Sequence, residues 1–449
     1  MSRIKPSIFS PSRVLAVSFG GLIAIGTLLL ALPISATRES LSLIDAFFTA
    51  TSAICVTGLI VVDTPNDLSL FGQIVLLLLI QIGGLGYMAI STVVAVALGR
   101  QLTVHERMSL QEALNVHTME GLVRFVMTVL KLTLAFELAG ALVLMFWWWN
   151  DFGIIRAAYY GVFHSVSAFN NAGFALFSDN MTRFRGDWVV NFVITTLVIC
   201  GGLGFLVLTE IGRLRQTRRL SAHARLVLTV TALLLVGGTA FVFLVERGNP
   251  NTLGPLGVGE AFLAAYFQAV VTRTAGFNSI DIGAMHAASL FLFIILMFIG
   301  AAPGGTGGGV KVSTFAVTLA ALWAMVRGIV EPSLFRRRLA PDLVARAFAV
   351  SLLAFLALNA VAGILLVMEE RPLLQTLFET TSAFGTVGLS TGERGSVVSL
   401  AGHFSASGKF LLAAMMFMGR VGPLTLAVAV ARGRTPARIR YAEAKILVG

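Results

Sequence analysis

Thr51-Ser-Ala-Ile-Cys-Val-Thr-Gly-Leu59 decides how this chain is read, because related nine-residue stretches occur three more times. They are Val166-Ser-Ala-Phe-Asn-Asn-Ala-Gly-Phe174, Ala269-Val-Val-Thr-Arg-Thr-Ala-Gly-Phe277 and Thr381-Ser-Ala-Phe-Gly-Thr-Val-Gly-Leu389. Each runs from small or hydroxyl residues to a glycine and then to a large apolar residue. The glycines, Gly58, Gly173, Gly276 and Gly388, lie 115, 103 and 112 residues apart. That period is too long for a solenoid and too regular for chance, so it marks four copies of a larger unit.

The chain's 449 residues would suggest about three soluble domains from length alone. Composition overrules this. Only 12% of residues are charged and 57% are hydrophobic, with a mean hydropathy of +0.87, whereas soluble domains carry roughly 25% charge. Several uncharged stretches reach the roughly 20 residues a spanning helix needs, so the chain is a polytopic membrane protein. No short apolar segment with a cleavage site opens it, and the first apolar run is expected to be retained as a helix. The net charge of +11 reflects topology rather than nucleic acid: basic residues fall between alternate apolar segments, as the positive-inside bias requires. Cys55 and Cys200 fit neither a disulfide framework nor a metal site.

Order along the chain repeats. Residues 14–32, 125–149, 226–245 and 347–368 read as spanning helices. Short apolar segments at 45–54, 157–169, 260–271 and 374–384 follow them, and each leads into one of the four glycine loops. Segments at 69–98, 188–208, 287–326 and 410–431 return, the third interrupted at 300–309. Basic residues cluster after the returns, at Arg100 and Arg107, Arg213 to Arg225, Arg336 to Arg338, and Arg432 to Lys445. With Arg3, Lys5 and Arg13 at the start, these place both termini in the cytoplasm of a multi-pass protein. The expected fold is all-α: four pseudo-symmetric helix–pore-loop–helix units around one central pore, with eight spanning helices. The unit boundaries are 1–122, 123–222, 223–344 and 345–449.

A second repeat fixes the alignment. The returning segments carry Ile82-Gly-Gly-Leu-Gly86, Cys200-Gly-Gly-Leu-Gly204, Ile299-Gly-Ala-Ala-Pro303 and Met418-Gly-Arg-Val-Gly422. A half-spanning helix followed by a loop leaves backbone groups unpaired in the bilayer, which is tolerated only inside protein or beside a watery cavity. Four such loops can close a ring whose carbonyls replace the water shell of a cation. The short helices would turn their partially negative C-terminal ends toward that cation. The expected filter residues are Cys55, Val56, Thr57 and Gly58; Asn170, Asn171, Ala172 and Gly173; Arg273, Thr274, Ala275 and Gly276; and Gly385, Thr386, Val387 and Gly388. A single such loop would read as close helix packing; four at matching positions favour a filter.

These loops resemble those of the Trk/Ktr/HKT potassium-transporter superfamily, as does Gly304-Gly-Thr-Gly-Gly-Gly-Val-Lys311 in the third returning segment. The similarity covers nearly the whole chain and is greatest to the bacterial KtrB-type membrane subunit, since no extra pair of N-terminal helices is present. The resemblance implies a homodimer in the bacterial inner membrane that takes up potassium, with sodium as a possible activator. It also implies a cytosolic KtrA-type RCK ring carrying ATP or ADP; no nucleotide-binding domain is visible in this chain, and no cofactor is expected on it. In the family the interrupted segment is an intramembrane gate. Here that gate comprises Gly300, Ala301, Ala302, Pro303, Gly304, Gly305, Thr306, Gly307, Gly308, Gly309 and Lys311.

The same glycine run has the outer spacing of a phosphate-binding loop. Val310 intervenes before Lys311, however, and both flanks are spanning helix, so that reading and an enzyme function fail. Arg420 stands where the other units have Gly84, Gly202 and Ala301. An intramembrane charge is a functional hypothesis, and Arg420 is expected to be a barrier in the pore; pairing with a pore-loop acid is the structural alternative. Glu137 has no assignable partner, Arg273 and Glu379 are expected to brace pore loops, and His164 to be a satisfied buried histidine. Membrane lipids are expected partners, and nucleic acid is not. The rival function is a coupled secondary transporter, a proton- or sodium-driven symporter. It would use paired intramembrane acids or histidines, of which the sequence offers mainly Glu137.

Overall fold

The computed structural model describes residues 11–86, 121–393 and 396–430. Arg3, Lys5, Arg100, Arg107 and the basic residues from Arg432 onward lie outside them, as does the end of the first returning segment.

Four long helices dominate: α1 (Pro11–Ala31), α4 (Leu122–Phe152), α8 (Ala222–Glu246) and α12 (Pro341–Glu369). Each packs along the short helix that follows it: α2 (Leu43–Ile54), α5 (Ile154–Phe169), α9 (Val258–Val271) and α13 (Leu373–Gly385). The returning helices are α3 (Leu70–Leu85), α6 (Trp188–Leu203), α10 (Ala287–Phe298) and α14 (Ala406–Val421). Three of these four starts are capped in the same way. Ser69, Asp187 and Ser405 accept hydrogen bonds from first-turn amides, each cap being worth about 1 kcal/mol.

The returning helices do not run on as unbroken spans. Gly86, Gly204 and Gly422 adopt φ of 78°, 86° and 95° and end α3, α6 and α14. After Gly204 the chain resumes as α7 (Phe205–Gly212), bent from α6 by 104°. After Phe298 it resumes as α11 (Val312–Val326), and α15 (Pro423–Val430) follows Gly422. Among the described residues, four helices are long and apolar enough to cross a membrane, or five if the bent pair counts as one span. The expectation is eight spanning helices with a break in the third return at 300–309; three further helix ends, at Gly86, Gly204 and Gly422, fall where a glycine of positive φ closes a small-residue patch.

Contacts between the units run in one direction. Each returning helix packs on the short helix of the next unit: α3 on α5, α6 on α9, α10 on α13, and α14 on α2. The last of these contacts closes the circle. There Lys409 at the start of α14 pairs with Asp45 of α2 at 2.6 Å. A short antiparallel hairpin of β1 (Ser333–Leu334) and β2 (Arg337–Arg338) links α11 to α12.

Candidate functional site

The four loops leave their short helices with the same backbone turn. Val56, Asn171, Thr274 and Thr386 have φ of 56°, 59°, 80° and 50°, and the glycines two residues on have φ of 91°, 71°, 70° and 90°. Three of the four non-glycine positions carry β-branched side chains, for which left-handed backbone costs on the order of 1–3 kcal/mol. Surrounding bonds must hold such a conformation. Ser52 supplies them in the first loop, donating to Leu59 O at 2.8 Å and accepting from Gly58 N at 3.0 Å. Ser167 donates to Phe174 O at 2.8 Å, and Ser382 accepts from Gly388 N at 3.1 Å. The third loop has Val270 at that position and uses a backbone bond from Ala275 N to Val271 O, 3.0 Å. These serines recur in the sequence as Ser-Ala six residues before the glycine, a signal visible there but not assigned a role.

The loops meet one another in order. A Cβ on Gly58 would overlap the Ala172 carbonyl oxygen, one on Gly173 that of Ala275, one on Gly276 that of Val387, and one on Gly388 that of Thr57. Each glycine thus lets a carbonyl of the next loop approach, and the fourth returns to the first. The Asn171 side-chain amide and the Thr274 hydroxyl are 3.1 Å apart, tying the second loop to the third.

The lead glycines of the small-residue patches form the next layer. A Cβ on Gly83, Gly201 or Gly419 would overlap the carbonyl oxygen of Ile54, Phe169 or Phe384, the residue four before each loop glycine. At these positions the glycines serve close packing. The third unit departs from this pattern, because its chain from Ile299 to Lys311 is not helical. Gly300 N bonds Val310 O at 2.8 Å, so the segment leaves and returns at one point.

Between those ends the segment reaches the other three units. Ala302 N and Thr306 N donate to Gly202 O and Gly201 O at 3.0 and 3.1 Å. Gly308 N donates to the Thr386 hydroxyl at 2.9 Å, and Gly309 N to Gly419 O at 3.3 Å. Lys311 Nζ closes back on Gly307 O at 2.6 Å. Contact with the first unit comes through Arg420, whose guanidinium donates to Thr306 O, Gly83 O and Gly84 O. The alternative is a pore-loop acid beside Arg420; among the described residues its partners are backbone carbonyls instead.

Other intramembrane polar groups have partners that sequence spacing could not supply. Glu137 is buried and accepts from Gln81 Nε2 at 3.2 Å and from Asn170 Nδ2 at 2.9 Å. Glu379 accepts from Ser390 Oγ at 2.7 Å and Ala401 N at 2.9 Å, bracing the chain beyond the fourth loop as expected. His164 has both ring nitrogens engaged, Nδ1 with Tyr160 O and Nε2 with Leu176 N, so it is a satisfied buried histidine. Among the described residues Arg273 bonds only Gly300 O, at 3.4 Å, and its Nε has no partner.

The family model for TrkH, a cation transport protein, matches residues 8–435. The chain belongs to this family. Among TrkH-family relatives it is 42% identical to Ktr system potassium uptake protein B of Bacillus subtilis, over 98% of this chain and 97% of that one. It is 40% identical to the protein of the same name from Vibrio alginolyticus, over 97% and 94%. To the potassium/sodium uptake protein NtpJ of Enterococcus hirae it is 35% identical, over 98% and 97%. The crystal structure of the potassium transporter TrkH from Vibrio parahaemolyticus shares the fold, with a TM-score of 0.75 at 18% identity, covering 96% of this chain and 87% of that one. Family and apolar helices together make this TrkH-family chain an integral membrane protein.

Proposed function

We propose that the chain is the potassium-selective, channel-like subunit of a Ktr-type uptake system, with four pore-loop units around one pore. The observation that carries this reading is the closed order of contacts from Gly58 through Gly173, Gly276 and Gly388 back to Thr57. A ring of backbone carbonyls is the device by which a filter replaces a cation's hydration shell. Cys55 to Gly58 and their counterparts in the other loops form that filter. Residues 300–309 and Lys311 are the gate, held shut by the bonds to Gly201, Gly202, Thr386 and Gly419. Arg420 is the barrier: a fixed positive charge below the filter repels potassium, and strongly so in a medium of low dielectric.

The relatives named for Ktr potassium uptake support potassium as substrate, and the one named for potassium/sodium uptake supports a role for sodium. Under this reading the protein is a homodimer in the bacterial inner membrane with both termini cytoplasmic. A KtrA-type RCK ring that binds ATP or ADP docks on the basic cytoplasmic face, which includes Arg213, Arg215, Arg218 and Arg219. Failure to co-purify with a ring encoded in the same operon would contradict that docking. A proton- or sodium-driven symport reading has less support, because Glu137 is held by two neutral amides rather than by a second acid or a histidine. Potassium flux into proteoliposomes separates the two. A channel-like subunit conducts down the potassium gradient alone, and a proton symporter stops when the proton gradient is abolished.

A further inference from the structure

One residue of the proposed filter is held from behind by a carboxylate. Glu137 of α4 lies buried beside Asn170, the first residue of the second loop. Its Oε1 accepts from Asn170 Nδ2 at 2.9 Å, and its Oε2 from Gln81 Nε2 of α3 at 3.2 Å. Gln81 Oε1 in turn accepts from Asn170 Nδ2 at 2.9 Å. The three side chains form a closed triangle in which each bonds the other two, and they come from two units.

The triangle fixes which way the Asn170 amide faces. Its nitrogen meets three acceptors, since Val166 O lies at 2.9 Å as well. Turning the amide over would set its oxygen against all three. That oxygen has no donor, and a Cβ on Gly84 would overlap it, so nothing on that side holds the group. Hydrogen bonds to an ionised acceptor are stronger than those to a neutral one, which makes Glu137 the main anchor. In the other loops this position is Cys55, Arg273 or Gly385, none of which bonds a carboxylate among the described residues. Directly after Asn170 the backbone turns at Asn171, φ 59°. The next residue is Ala172, whose carbonyl is the one Gly58 makes room for.

We propose that Glu137 is a positioning residue for selectivity: through Asn170 it sets where the Ala172 carbonyl stands in the ring. This inference rests on the filter reading given above. In Glu137→Gln both neighbours must still present an oxygen to Asn170, and the two glutamine nitrogens then face each other, donor against donor. The other choice turns Asn170 over against Val166 O. Either way the second loop loses its anchor. The fold does not depend on it: Phe136 stacks on Phe169 at 5.7 Å, and Ser165 Oγ donates to Glu137 O at 2.6 Å, so α4 stays joined to α5.

The test is the potassium-to-sodium flux ratio of the full-length protein in proteoliposomes, with Gly58→Ser measured alongside. Glu137→Gln should lower the ratio roughly fivefold, the weight of one hydrogen bond. Gln81→Glu combined with Glu137→Gln restores every donor and acceptor of the triangle and should return the wild-type ratio, a rescue that a role in stability alone does not require. Glu137→Asp keeps the charge and draws the carboxylate back by one methylene; it should lower the ratio too, and it decides the matter if Glu137→Gln does not fold. A wild-type ratio in the folded Glu137 variants, or a double variant that stays at the reduced ratio, would overturn the inference. If Gly58→Ser shifts the ratio and the Glu137 variants do not, the filter reading stands and this inference alone fails; no shift in any of them overturns both.

Discussion

The backbone N–H of Gly308 donates to the Thr386 hydroxyl at 2.9 Å, joining the intramembrane segment directly to the fourth glycine loop. Thr386 has left-handed backbone and is fully buried, so its hydroxyl is a fixed acceptor. Thr386→Val keeps the shape and removes that acceptor. A buried N–H left unpaired costs about 1–3 kcal/mol, which falls on the state in which the segment is docked. Potassium uptake should rise in Thr386→Val while potassium-over-sodium preference is retained. Uptake at or below wild type in a folded protein would count against docking through this bond.

The proposed filter makes selectivity depend on the glycines. A side chain at Gly58 would meet the Ala172 carbonyl, and φ of 91° is unfavourable to any residue but glycine. Gly58→Ser should therefore displace a carbonyl of the neighbouring loop and admit sodium. Sodium and potassium fluxes measured side by side check this. An unchanged ratio would contradict the filter assignment.

Ser52 and Ser167 hold their loops through side-chain bonds, and the third loop manages without one because Val270 replaces the serine. Ser167→Ala removes one bond at a cost of about 1 kcal/mol and should lower thermal stability and relax selectivity. Val270→Ala changes no such bond and should leave the sodium-to-potassium ratio unaltered. If both variants shift the ratio equally, the serine braces are not what sets loop geometry.

Among the described residues Arg420 holds three carbonyls from two units and no acid. Arg420→Ala should thus leave no orphaned carboxylate, so the protein should express and keep its oligomeric state. Potassium flux should increase with selectivity intact, since the loop carbonyls are untouched. A well-folded variant with unchanged or lower flux would rule out the barrier role.

Much of this arrangement is legible before any coordinates. The recurrence of Gly58, Gly173, Gly276 and Gly388 locates the four loops, and apolar run lengths place α2, α5, α9 and α13 to within a few residues. Arg420 stands out because three aligned positions are small. Less of the site's wiring can be read this way. Glu137 meets Asn170 and Gln81 across two other helices, and no spacing rule connects them. The breaks at Gly86, Gly204 and Gly422 depend on backbone torsion, which a glycine permits but does not announce. The packing of each returning helix on the next unit's short helix is a tertiary choice that leaves no local pattern.

The most direct test of the central claim is potassium flux through proteoliposomes bearing a variant that lacks residues 304–308, with the proton gradient abolished. The deletion removes Gly304, Thr306 and Gly308, and with them the bonds to Phe205, Gly201, Thr386 and Arg420. A gated potassium pathway predicts flux at least about tenfold that of wild type, since each lost hydrogen bond is worth about 1 kcal/mol, with potassium still preferred over sodium. Unchanged flux in a folded protein, or flux that vanishes without the proton gradient, would contradict it.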